Sequence, residues 1–74
     1  MNIRDLEQRR DLAQIELDRA MVTLQRLREL NDVIAPEALE AALHPTLHVV
    51  ERCAREYGAA VTAYEDALAA DSKP

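Results

Sequence analysis

Residues 2–31 read NIRDLEQRRDLAQIELDRAMVTLQRLRELN, thirty residues without a glycine or a proline. Such a run predicts one long helix, because neither of the two strongest helix breakers interrupts it. Asn2 is a suitable cap, and Asp5 lies where the positive end of the helix dipole favours a carboxylate. One apolar line runs Ile3, Leu6, Arg10, Ala13, Leu17, Ala20, Leu24, Leu27, Asn31, Ile34. Its steps alternate between three and four residues, the spacing that keeps a stripe turned toward a partner helix. Two of its members, Arg10 and Asn31, are polar. A polar residue in such a seam lowers stability and can fix register, and Asn31 also suits a helix end.

A second line runs Leu12, Ile15, Arg19, Val22, Arg26, Val33. At about 100° per residue it falls nearly opposite the first. A single folded-back helix covers one face only. Leu12, Ile15 and Val22 are then left to another surface, and covering each fully is worth roughly 1.5–3 kcal/mol. Scattered surface apolar residues are ordinary, but a contiguous stripe marks a contact site. Arg19 and Arg26 within it are of the type enriched at protein interfaces. These six residues form the expected protein interface.

The stretch NDVIAP at residues 31–36 ends the first helix. Ala35 precedes proline and is pushed out of the helical region, while Pro36 suits the first turn of a new helix. A connection of about three to five residues makes the two helices antiparallel neighbours. The second helix is expected over about 36–70, kinked or broken near Pro45, where a backbone bond is lost. A stripe of Leu39, Leu43, Leu47, Val50, Ala54, Tyr57, Val61, Tyr64 and Leu68 crosses that proline without losing its spacing. Beside it lie Thr46, Cys53, Ala60 and Ala67, all small, which permit a close backbone approach. Gly58 costs about 1 kcal/mol against alanine inside a helix, and close packing or a local bend would account for it. Asp5–Arg9, Glu51–Arg55 and Arg52–Glu56 have the four-residue spacing of helix-surface ion pairs. The expected fold is an all-α antiparallel helical hairpin, residues 1–74 forming one domain with a frayed tail over 71–74. Dimerisation into a four-helix bundle is the expected assembly, because a chain of 74 residues buries a modest share of its surface.

Composition narrows the function. The net charge is −5. Residues 1–35 hold six arginines against seven acidic residues, and residues 36–74 hold three basic against seven acidic. Neither half offers the basic surface that phosphate backbones reward, so no nucleic-acid partner is expected. Phe and Trp are absent and only two Tyr occur, which removes base-stacking platforms. The arginines of the first helix alternate with carboxylates, as on a mixed solvated face. No segment approaches the roughly 18 unbroken apolar residues of a membrane span, and MNIRDLEQRR lacks the apolar core of a secretion signal. One cysteine forms no internal disulfide and fits a reducing compartment; the expected location is cytoplasmic.

Candidate chemistry is sparse. His44 and His48 stand four apart, with Glu40 and Glu51 continuing the pattern E-x3-H-x3-H-x2-E. Two imidazoles at that spacing can chelate zinc or a similar ion, but the ordinary reading is a solvent-facing pair. Cys53 reads as a small buried hydrophobe. No nucleophile triad, phosphate loop or paired-carboxylate pocket is present, so no catalytic residue, cofactor or metal is expected, and the chain is not expected to be an enzyme. The outline resembles small helical-hairpin proteins: needle-subunit chaperones of type III secretion, dimeric plasmid RNA-binding hairpins and phage-encoded inhibitors of host regulators. That likeness is one of architecture. The expected function is binding, as a small acidic adaptor, chaperone or inhibitor that masks a partner, either a second copy or another helical protein. A structural subunit of a helical assembly, a metal-binding protein using His44 and His48, and an RNA-binding hairpin dimer are the alternatives.

Overall fold

The computed structural model describes residues 2–72 as two α-helices and no strand. Helix α1 spans Ile3–Glu29 and helix α2 spans Pro36–Ser72. They form an all-α antiparallel hairpin about 60 Å long and 14 Å across. Asn2 caps α1 as its sequence predicts: extended at its own backbone, it accepts a hydrogen bond on Oδ1 from the Arg4 N–H at 3.1 Å.

α1 ends two residues earlier than expected. The Leu30 N–H turns back to the carbonyls of Leu27 and Arg28, and Val33 and Ile34 both donate to the Leu30 carbonyl. The connection therefore occupies residues 30–35, slightly longer than expected. Asn31 sits exposed in this turn and is not a seam residue. Ile34 is half-buried and anchors the turn.

Of the kink or break expected near Pro45, the break does not occur. α2 is one helix from Pro36 to Ser72 with Pro45 inside it. Proline removes the bond to the Ala41 carbonyl, but Ala41 is exposed, so water can take that acceptor. The neighbouring polar group is also satisfied, since the Thr46 hydroxyl donates to the Ala42 carbonyl at 3.0 Å. α2 runs two residues past its expected end: Asp71 and Ser72 are helical, and the Ser72 hydroxyl donates to the Leu68 carbonyl. Residues 73 and 74 lie outside the described part.

The seam read on α1 is the one that is used. Leu6, Ala13, Ala20 and Leu24 are buried, and Ile3, Arg10, Leu17 and Leu27 are half-buried. On α2 the seam is rotated from the expected line. Cys53 and Ala60 are buried, Thr46 and Ala67 half-buried, while Leu47, Ala54 and Leu68 are exposed. The line actually used is Leu39, Leu43, Thr46, Val50, Cys53, Tyr57, Ala60, Tyr64, Ala67, again with alternating steps of four and three. The reason is size. Ala13 lines one inter-helix groove with Ala60, and Ala20 lines another with Cys53. Small residues at matching levels on both helices let the backbones approach, and the bulkier Leu and Tyr side chains are displaced to the flanks.

Close packing does not account for Gly58. It is exposed, its φ is negative, and a Cβ built there meets nothing within 4 Å. Gly58→Ala should therefore stabilise the hairpin by about 0.5–1 kcal/mol, through a less flexible unfolded chain and a better helix former. A thermal melt followed by circular dichroism checks this, and an unchanged or lower midpoint would show that Gly58 has a structural role.

Candidate interaction faces

Three features stand outside the hairpin seam: the outer face of α1, one broad side of the hairpin, and the His44–His48 pair. The outer face of α1 lies where its sequence places it. Leu12 is 62% exposed, Ile15 47% and Val22 46%. Ile15, Asp18, Arg19, Val22, Thr23 and Arg26 line one shallow open groove on this single helix. The Thr23 hydroxyl donates to the Arg19 carbonyl at 3.1 Å, so its one donor is spent on the helix itself. Arg19 and Arg26 form no ion pair among the described residues.

Two members of the line depart from it. Leu12 sits at its edge and also lines the inter-helix groove with Asp5, Gln8, Arg9, Glu16, Glu56 and Ala59. Val33, 79% exposed, is in the turn after α1, so helical spacing does not carry it onto this face. The structure thus gathers Ile15, Arg19, Val22 and Arg26, with Leu12 adjoining, and separates Val33.

A second exposed apolar surface follows from the rotated seam of α2. The side chains excluded from it, Leu47 and Leu68, are exposed, and Met21 of α1 is exposed as well. By helical spacing they lie on one side of the hairpin with Leu17, Ala54 and Val61. The spacing of the sequence assigns Leu47, Ala54 and Leu68 to the core and so hides this side, whereas Val61, assigned there too, is half-buried. The available signal was the parallel line of small residues, which competes for the same seam.

At the edge of this side Arg10 resolves the polar position in the α1 seam. Its guanidinium lies 4.4 Å from the centre of the Tyr64 ring and 3.1 Å from Asp11 Oδ1. The hydrogen bond that the guanidinium donates to the Asp11 carboxylate raises its pKa further, so Arg10 stays charged. Its stem covers the seam while its head remains at the rim. The contact joins the two helices at one level and thereby favours this register.

Of the ion pairs expected on the helix surfaces, Arg52–Glu56 forms, at 3.9 Å, whereas Asp5–Arg9 and Glu51–Arg55 do not. Cys53 is a buried free thiol, as its small-residue line suggests. His44 and His48 face solvent on α2 with their Nε2 atoms 3.3 Å apart. Glu40 lines a surface groove with His44, but no cluster of three or more His, Cys, Asp or Glu is arranged around an ion among the described residues. The four-residue pattern with Glu40 and Glu51 does not converge.

No helix among the described residues is long and apolar enough to cross a membrane. No protein-family model, curated protein or solved structure matches the chain.

Proposed function

We propose that the hairpin is a protein-binding module whose first partner is a second copy of itself, joined through the outer face of α1. The observation that carries this reading is the exposure of Ile15 and Val22 on the side of α1 turned away from α2, with exposed Leu12 at its edge. The core supports it. Its buried members among the described residues are Leu6, Ala13, Ala20, Leu24, Cys53 and Ala60, three of them alanines. A core so small leaves a chain of this length in need of further buried surface.

Self-complementarity favours a second copy. If two α1 helices lie antiparallel with Ile15 against Val22 of the other copy, each apolar side chain of the face meets one of its partner's, and Arg19 and Arg26 flank this apolar centre, the arrangement of an apolar core within a polar rim. An adaptor, chaperone or inhibitor role follows if the same face is presented to another helical protein.

Sedimentation velocity at micromolar concentration is the test. A two-chain species is expected. Val22→Glu places an unpaired carboxylate in the apolar centre twice per dimer and should weaken association at least about tenfold. A folded monomer at every concentration overturns self-association, and unchanged association in Val22→Glu removes this face from it.

A further inference from the structure

The imidazoles of His44 and His48 meet edge to face, ring centres 4.7 Å apart and Nε2 atoms 3.3 Å apart. One ring donates its Nε2–H and the other accepts, so the pair is joined by a single shared hydrogen bond. Both rings are exposed on α2, away from the α1 seam, and His44 lines an open surface groove. We propose that the two Nε2 atoms form a bidentate site for a tetrahedral divalent cation, zinc in the first instance.

The spacing fits that ion. With zinc–nitrogen bonds of about 2.1 Å, nitrogens 3.3 Å apart subtend an angle of about 100° at the metal, close to tetrahedral. Binding needs both Nε2 lone pairs. The ring that carries its proton on Nε2 exchanges it through solvent for one on Nδ1, and its charge is unchanged. Water fills the two remaining positions, since no third protein ligand is arranged there among the described residues.

The place of the pair gives the site its consequence. Residues 44 and 48 flank Pro45, the one interior position of α2 that lacks a backbone donor. A metal held between them links successive turns of the helix there. It binds only the helical form with both ligands, so it stabilises that form by mass action. Zinc would thereby reinforce the turn-proximal end of α2.

The full chain contains only two histidines, so their ring proton signals are unambiguous in a magnetic resonance titration with zinc chloride. Both rings should shift together and saturate at one equivalent, with a Kd on the order of 0.1 mM, weaker than four-ligand structural zinc sites. Removing either ligand abolishes chelation, so His44→Ala and His48→Ala should each weaken binding at least about tenfold and cancel the zinc-dependent rise in melting temperature. Absence of any ring shift at about 1 mM zinc overturns the proposal. So does retention of the wild-type affinity by both variants, which would place the ion elsewhere on the chain.

Discussion

Pro45→Ala should stabilise the hairpin by about 2 kcal/mol. Proline in a helix interior costs about 3 kcal/mol relative to alanine, through the lost N–H and the clash with the preceding turn. Its rigidity in the unfolded chain returns roughly 0.4–1 kcal/mol, which the substitution forfeits. Little packing is at stake, because Pro45 is exposed and α2 continues through it on both sides. The new alanine N–H regains the Ala41 carbonyl as its acceptor. For a domain of this size, 2 kcal/mol corresponds to a melting temperature raised by roughly 8–16 °C. A lower melting temperature would mean that the proline shapes α2 to fit α1, and that its cost is offset by contacts along the seam.

Ala60→Leu should have an opposite effect of similar size, a loss of about 1–3 kcal/mol from overpacking. Ala60 is 1% exposed, the most deeply buried of the core residues, and it shares its groove with Ala13 of the facing helix. A leucine there projects into the close contact between the two helices, so the helices must move apart or the side chain must take a strained conformation toward the groove, and packing along the seam is lost. Ala54→Leu provides the control. Alanine and leucine have similar helix propensities, and Ala54 is exposed, so this change should stay within about 0.5 kcal/mol. The two variants decide which line of α2 faces α1. A damaging Ala54→Leu beside a harmless Ala60→Leu would reverse the assignment.

Together with these, the outer face of α1 and the His44–His48 pair divide the molecule into separate regions. Helix–helix contact is made by the small-residue seam. Association is proposed for Ile15, Arg19, Val22 and Arg26, on the far side of α1. The proposed ion site lies near the turn end of α2. Substitutions in one region therefore test that region with limited spillover, since distant sites add nearly independently.

Much of the fold was legible from spacing. The run without glycine or proline, the Asn2 cap and the proline at residue 36 defined two helices within a few residues, because these are local properties of the chain. The alternating pattern on α1 also named its seam, since Leu6, Ala13, Ala20 and Leu24 have no rival line of equal spacing beside them. The outer positions of Ile15 and Val22 followed from the same geometry.

On α2 the pattern was ambiguous, and only the tertiary structure settled it. Two lines share Leu39, Leu43, Val50, Tyr57 and Tyr64 and differ only in Leu47, Ala54, Val61 and Leu68 against Thr46, Cys53, Ala60 and Ala67. Hydrophobicity favours the first set. The structure uses the second, because Ala13 and Ala20 on α1 leave space for a close approach that bulky partners would prevent. Whether Pro45 interrupts α2 was likewise undecided by local rules, which assign a cost to the proline but not the solvent that accepts the freed carbonyl. Periodicity thus determined which residues share a face, whereas the choice between overlapping faces depended on the shape of the opposing helix, which lies outside any one segment of sequence.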